Sequence, residues 1–394
     1  MSAGPLSLVF VQDHVSQHLP PFLQYLRRDP RVEISALFTR SVAPRIDPEL
    51  GIAPGWGVEE LRGLPWERVW GSLGLLRRVR RLRRADAVVV NGWRKPQSLV
   101  MMMSAVLFGV PVVVRSDTTS QYARTTGPRW WLRRCVLRLF LARVEAIAYV
   151  SEAARVHLLE LGIPPERMFR FPYTTDLNFF RSRSRLARGE RDAVRSRLGV
   201  NERDLVVVAV LKLNRREGAD ILLDAFEEAV AADQRLRLLL IGDGPLADLL
   251  ADHPARSSVV ALGYQPLSSL PRWYASGDCF IHPAPEEPWG VSVVESLACG
   301  LPQVLSEGVG ASRELVVDGW NGYVAPARDF HALASGLLAW ARLHPDDKAR
   351  MSSNAAAAVG SFEYKSVADE LVEQLYALGR RNHRSSRAHS NGGP

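Results

Sequence analysis

The sequence predicts an α/β protein made of two doubly wound parallel sheets. Three observations carry that expectation. Short apolar runs alternate with helical patterns along most of the chain, as repeated βαβ units require. Polar residues gather just after the apolar runs of the first half, at 13–18, 91–95, 115–119 and 151–152, where an open α/β sheet presents its ligand site. The length, 394 residues, suits two domains better than one.

The first half opens with a buried strand, Leu6 to Val11, and a polar loop holding Asp13, His14, Ser16 and His18. A helix from Pro20 to Arg28 and a strand from Val32 to Thr39 follow. Ala87 to Val90 is a strand ending in Asn91-Gly92-Trp93, Pro96 to Phe108 an apolar helix, and Val110 to Val114 a strand ending in Arg115-Ser116-Asp117. Ala146 to Val150 is the next strand, and Ser151 can cap the helix after it. No G-x-G-x-x-G follows the first strand, so dinucleotide binding of the dehydrogenase kind is not expected. Residues 171–200 read as a junction, with Arg181 to Arg197 a charged surface helix.

The second half begins at Leu205 with a strand ending in Lys212. Ile221 to Val230 is an amphipathic helix. Arg237 to Ile241 is a strand running into Gly242-Asp243-Gly244-Pro245, where glycines let backbone approach a ligand or make a tight turn. Val259 to Gly263 is a strand and Leu267 to Ala275 a short helix. The most informative stretch is Cys279 to Val324: a strand to His282, a Pro-rich turn with Glu286 and Glu287, and Trp289-Gly290. The helix VSVVESLACG comes next, with Ser292 as its expected cap and Gly300 and Pro302 as its stop. A strand, 303–306, and a loop with Gly308 and Gly310 complete it. A loop acid and a helix acid, eight residues apart, beside helix N–H groups suit a phosphorylated, polyhydroxylated ligand. The plainer alternative is that both are solvated glutamates of a first helical turn. After Asn321-Gly322, helices are expected over 329–343, 346–360 and 361–378, and the polar tail 380–394 is expected to be disordered.

Composition narrows the class. Hydrophobic residues make up 47%, and no apolar run reaches the eighteen residues of a membrane span. MSAGPLSLVFVQDHVS lacks the basic start of a signal peptide. Cys135, Cys279 and Cys299 show no metal spacing and read as buried thiols of a reducing compartment. A cytoplasmic protein is therefore expected. Net charge is +8, almost all from arginine, with lysine only at 95, 212, 348 and 365.

Glu287-PWGVSVV-Glu295, Gly300-Leu301-Pro302, Gly308-Val-Gly310, Glu314-Leu-Val and Asn321-Gly322 together resemble the signature of family 4 glycosyltransferases. The pattern is followed almost continuously over 205–330 and more loosely over 1–180. The resemblance implies the GT-B fold: two Rossmann-like domains facing a cleft, here 1–180 for the acceptor and 181–360 for a nucleotide-sugar, with a helix, 361–379, crossing back to the first. It implies a retaining transferase that moves a hexose-type sugar from a UDP- or GDP-sugar to a hydroxyl of a small-molecule, glycan or lipid-linked acceptor. No D-x-D triplet or metal cluster occurs in the sequence, so neither metal nor cofactor is expected. Donor-side residues implied are Lys212, Gly242, Gly244, Glu287 (sugar hydroxyls), Trp289, Gly290, Val291, Glu295 (ribose), Gly308 and Gly310. Where the family carries a second phosphate-binding base, this chain has Glu217, so Arg215 or Arg216 must serve. Lys212 and Glu287 are the main catalytic candidates. Asp117 is a further one, with His14 and His18 as acceptor-side candidates.

Two arginine-rich stretches, Arg77–Arg84 and Arg129–Phe140, read either as a peripheral face drawn to anionic membrane or as solvated faces whose Trp and Leu pack inward. No recognition motif accompanies the charge, so nucleic acid is not an expected partner. The competing functions are a nucleotide-sugar epimerase of the same fold and a non-catalytic nucleotide-sugar binder, the latter suggested by Glu217.

Overall fold

The computed structural model describes residues 4–16, 18–39, 61–69, 82, 85–93, 96–120, 128–185 and 188–390. Arg77–Arg84 and Lys95 lie outside them, apart from Leu82. The chain divides into two compact units, one holding 61–174 with the N-terminal strands and 364–390, the other holding 175–363.

In the first unit seven parallel strands form one sheet. They are β1 (Leu6–Gln12), β2 (Val32–Phe38), β3 (Trp66–Arg68), β4 (Ala87–Asn91), β5 (Val112–Ser116), β6 (Ala146–Tyr149) and β7 (Met168–Arg170), in the order β3-β2-β1-β4-β5-β6-β7. Successive strands build outward from β1 in one direction and from β4 in the other. The loops after β1 and β4 therefore flank the point where the winding reverses, the ligand crevice of open α/β sheets. The edge strands β3 and β7 have three residues each, too few for a period to be read from sequence.

The last helix, Tyr364–Ser390, completes this unit. Val367, Ala368, Leu371, Val372 and Leu375 share one core with Phe22, Leu23 and Leu26, at the i, i+4 spacing of a single helical face. Arg31 anchors the same face, donating through Nη2 to Asp369 at 2.6 Å, while Tyr376 donates its hydroxyl to the Arg31 carbonyl at 3.0 Å. The helix continues through the polar stretch from 380 to Ser390. Its polar sequence holds no proline, and glycine returns only at 392 and 393.

The second unit holds six parallel strands: β8 (Leu205–Val210), β9 (Leu236–Ile241), β10 (Val259–Ala261), β11 (Cys279–His282), β12 (Gln303–Ser306) and β13 (Gly322–Ala325), ordered β10-β9-β8-β11-β12-β13. The reversal lies between β8 and β11. This unit opens at Thr175 rather than at 181. Helix Leu177–Ser184 belongs to it, with Phe180 against Tyr274 at 6.0 Å between ring centres. The charged helix Arg188–Arg197 is pinned rather than merely solvated. Arg191 and Arg195 donate to the two oxygens of Asp278 at 2.5 and 2.7 Å, and Asp278 also accepts from the Val206 N–H that opens β8.

Candidate functional site

The four loops that leave β8, β9, β11 and β12 at their carboxyl ends carry almost every donor-side residue named from the sequence. Backbone contacts lock them to one another. Leu213 N–H donates to Asp243 O at 2.9 Å and Leu246 N–H to Leu213 O at 2.8 Å, so the Gly242–Gly244 loop lies on the Lys212 loop. Glu287 N–H donates to Gly308 O at 2.9 Å and Gly310 N–H to Glu287 O at 2.8 Å, a short parallel bridge between the acidic loop and the glycine loop. A Cβ at Gly308 would run into the Pro285 carbonyl, and one at Gly310 into that of Pro288. These glycines are thus required by backbone packing, and through it they place Glu287.

Helix Val291–Ala298 begins directly beyond that loop. Its cap is Gly290, with φ of 90°, and not Ser292, which lies inside the first turn. Only glycine tolerates that left-handed entry cheaply. A side chain there would also sit 2.8 Å from Val309 Cγ1.

The charged groups converge around Arg216. Its Nη1 donates to Glu287 Oε2 at 2.7 Å and its Nη2 to Glu217 Oε1 at 2.6 Å. The other oxygen of Glu217 accepts from the Lys212 N–H at 2.6 Å. The departure at Glu217 therefore does not leave the loop without a cation: it binds one. Burial first, then the charge of Glu287, push the Glu217 carboxyl up to about 7, with Arg216 and Lys212 opposing. Lys212 is half-buried at the same strand end, while Arg215 is exposed and faces Asp220 at 3.6 Å. The sequence left Arg215 and Arg216 as equals, and the structure brings only Arg216 to Glu287.

Two named residues lie in the interior instead. Glu295 is 2% exposed and accepts from the Tyr274 hydroxyl at 3.0 Å; burial pushes its carboxyl up to about 8. Trp289 is 1% exposed and stacks on Phe362 with ring centres 5.3 Å apart. Residues that sequence reading missed are His282 and Tyr274. His282 is buried at the end of β11, its Nδ1 without a hydrogen-bond partner among the described residues, and its pKa is lowered to about 3 by burial and then by Arg216. Its position at a strand end was the one available signal.

In the first unit, Asp117 follows β5 and accepts from the Tyr173 hydroxyl at 3.1 Å. Arg115 is buried, donates to the carbonyls of Phe171 and Pro172, and lies over the rings of Phe171 and Tyr173 at 3.9 and 4.3 Å. Burial lowers its pKa to about 10. His18 lines a small pocket with Arg115, Phe171 and Tyr173 and is held to about 4 by burial and then by Arg115. His14 is exposed, 2.9 Å from Asp13. The structure thus groups His18 with Arg115 and Tyr173, and Tyr173 with Asp117.

Among the described residues no helix is long and apolar enough to cross a membrane, and no group of three or more His, Cys, Asp or Glu could hold a metal ion. In the helix Pro128–Leu141, Trp131, Val136 and Leu139 are 64%, 57% and 61% exposed, so these apolar residues do not pack inward.

Two family models match this chain. "Glycosyl transferases group 1" covers residues 202–342 and "Glycosyl transferase 4-like domain" covers residues 25–174. Among curated proteins, a D-inositol 3-phosphate glycosyltransferase of Thermomonospora curvata is 29% identical over 58% of this chain and 55% of its own length. One from Catenulispora acidiphila is 26% identical over 85% of this chain and 84% of its own. A phosphatidylinositol N-acetylglucosaminyltransferase protein from Arabidopsis thaliana is 26% identical over 64% and 53%. Among solved structures, Anabaena HepE in complex with UDP and glucose superposes with a TM-score of 0.72 at 19% identity, covering 94% of this chain and 99% of that one. Sucrose-phosphate synthase from Thermosynechococcus elongatus gives 0.70 at 15%, covering 94% and 99%.

Proposed function

This chain is a group 1 glycosyltransferase of the GT-B fold, and from that premise we propose that it moves a hexose-type sugar, with retention, from a UDP- or GDP-sugar to an acceptor hydroxyl. The observation that carries the donor assignment is the meeting of Arg216 and Glu287, 2.7 Å apart, at the point where the second sheet reverses its winding. A nucleoside diphosphate leaves as an anion, and fixed cations and N–H groups in a partly dry site stabilise that charge as it develops. Lys212 and Arg216 supply the cations in place of a metal. The N–H groups at Gly290–Val291, where the helix begins, border the same place; those of Gly308–Gly310 are spent on Ser306 and Glu287. Glu287 accepts from the sugar hydroxyls. The acceptor attacks on the face the diphosphate leaves, with no protein nucleophile required.

Asp117 and Tyr173, with His18 beside them, are the acceptor-side groups of this reading, with Asp117 the carboxylate assigned to take the acceptor's proton. Relatives named for inositol 3-phosphate and phosphatidylinositol make cyclic polyols, free or lipid-linked, the acceptors to test first. Trp131, Val136 and Leu139, exposed on an arginine-bearing helix, support peripheral contact with anionic membrane; co-sedimentation with vesicles containing anionic lipid checks it.

The purified protein is incubated with UDP- and GDP-sugars, with and without polyol acceptors. Nucleotide released only when acceptor is present supports transfer. Donor rearranged without acceptor overturns it in favour of an epimerase. Glu287→Ala, with melting unchanged, is expected to lower kcat/KM at least about a hundredfold, since charge-assisted bonds to the sugar are lost. Wild-type activity in that variant removes the assignment.

A further inference from the structure

Glu217 is an acid where the resembling enzymes have a base, and its surroundings say what it does. It is 8% exposed. Its N–H donates to Asn214 Oδ1 at 2.9 Å, and one carboxylate oxygen accepts from the Lys212 N–H at 2.6 Å. Those two bonds fold the loop after β8 around the side chain. The remaining oxygen is taken by Arg216 Nη2 at 2.6 Å, while Arg216 Nη1 reaches Glu287 at 2.7 Å. One guanidinium thus spans carboxylates from two loops, those after β8 and β11. The planar fork of arginine can hold two acceptors at once in fixed directions, which an ammonium cannot do. The Arg216 side chain is 31% exposed and that of Glu287 20%, against 10% for Glu217. The inner end of the bridge is closed, and the outer end is open to a ligand.

We propose that Glu217 is the positioning residue that holds Arg216 for the donor's diphosphate, and that the diphosphate takes the outer end of Arg216 from Glu287, leaving Glu287 to the sugar hydroxyls. The proposal rests on the donor-site reading above and deepens it. The base absent at 217 is supplied from 216, and the acid at 217 anchors it. The two halves of the donor then bind in a coupled way, because the sugar-binding carboxylate is occupied until phosphate arrives. The raised pKa of Glu217, to about 7, agrees with this crowding. Glu217 and Glu287 are two acids sharing one guanidinium, with Lys212 the other cation acting on Glu217 and His282 facing Arg216 from β11.

The test is calorimetric titration of UDP and of GDP at pH 8, where Glu217 is ionised, into wild type, Arg216→Met, Glu217→Ala, Glu217→Gln and the Arg216→Met/Glu217→Ala double variant, with melting temperatures beside each. Arg216→Met is expected to weaken binding by about tenfold to a hundredfold, the range of a lost charge-assisted bond. Glu217→Ala should lose a similar factor, and the double variant no more than Arg216→Met alone, because both act through one group. Glu217→Gln still accepts from the Lys212 N–H, so it should restore the melting temperature without restoring affinity. Three results overturn the proposal: a double variant that loses the product of the single effects, Glu217→Gln binding as wild type does, or Arg216→Met binding as wild type does. Wild type that binds neither UDP nor GDP removes the donor-site reading itself. Wild type that binds while Arg216→Met binds equally well removes only this inference.

Discussion

Glu295 is a carboxyl group in the interior of the second unit, and its titration can be turned into a stability curve. It is 2% exposed, its hydrogen bond comes from the neutral Tyr274 hydroxyl, and no cation offsets its burial among the described residues. Burial raises its pKa from 4.5 to about 8. Between those values the unfolded chain has released a proton that the folded chain keeps. Folding stability from this group is therefore fully present below pH 4.5 and is lost as pH rises towards 8, at about 1.4 kcal/mol per pH unit. Over the whole window the loss is about 5 kcal/mol, an order-of-magnitude figure. Glu295→Gln has no proton to lose and keeps an acceptor for Tyr274. Urea unfolding of both proteins at half-unit steps from pH 4 to 9 isolates the effect, since Glu217 and the histidines contribute alike to each. The variant should gain on wild type by about 1.4 kcal/mol per unit through the window, with a flat difference outside it. A difference that stays flat from pH 5 to 8 refutes the buried, uncompensated carboxyl. Nucleotide affinity gives a second reading. A group enclosed by Tyr274 should leave UDP or GDP binding within about threefold on substitution by Gln, whereas a ribose contact would lose about tenfold or more.

His18 should bend the curve the other way. Its folded pKa, about 4, lies below the unfolded 6.5 because burial and then Arg115 oppose its charge. Its contribution is intact above pH 6.5 and falls away as pH drops to 4, by about 3 kcal/mol in all; His18→Gln should flatten that limb of the urea-midpoint profile. Gly308→Ala drives a methyl into the carbonyls of Pro285 and Ala284, where backbone cannot yield. A loss of about 1–3 kcal/mol in thermal unfolding is expected, together with at least about tenfold weaker donor binding, because the Glu287 loop hangs from Gly308 O.

Much of this was legible in the chain itself, for identifiable reasons. Both sheets are built from short runs such as Leu205–Val210 and Val112–Ser116, buried on both faces, which produce apolar stretches that no solvated loop imitates. Glu287, Gly308 and Gly310 stood out because a backbone-to-backbone contact admits few residue types. Three-residue edge strands carried no period. Spacing alone could not separate Glu287 from Glu295, since whether a carboxylate faces a loop or a tyrosine depends on the rotation of helix Val291–Ala298 against Tyr274. Trp289, followed by Gly290, was named on the donor side, yet its ring fills the space over Phe362, a partner 73 residues on. At Glu217 the residue type pointed away from phosphate, and only the three-way geometry with Lys212 and Arg216 assigns it work.

The return of the final helix to the first sheet bears on how the molecule is made. Phe22 and Tyr25 meet Tyr364 at ring separations of 5.6 and 5.5 Å, so the core that β1 and Phe22 open cannot be closed until 364–375 are synthesised. All of 175–363 emerges in between, which at ordinary translation speeds takes roughly 10–40 s. For that interval the nascent first unit carries an open apolar groove, whereas the second draws its strands from the contiguous stretch 175–363 and needs nothing synthesised after it. A chain that ends early at 363 would leave its damage at the opposite end of the sequence from the missing residues.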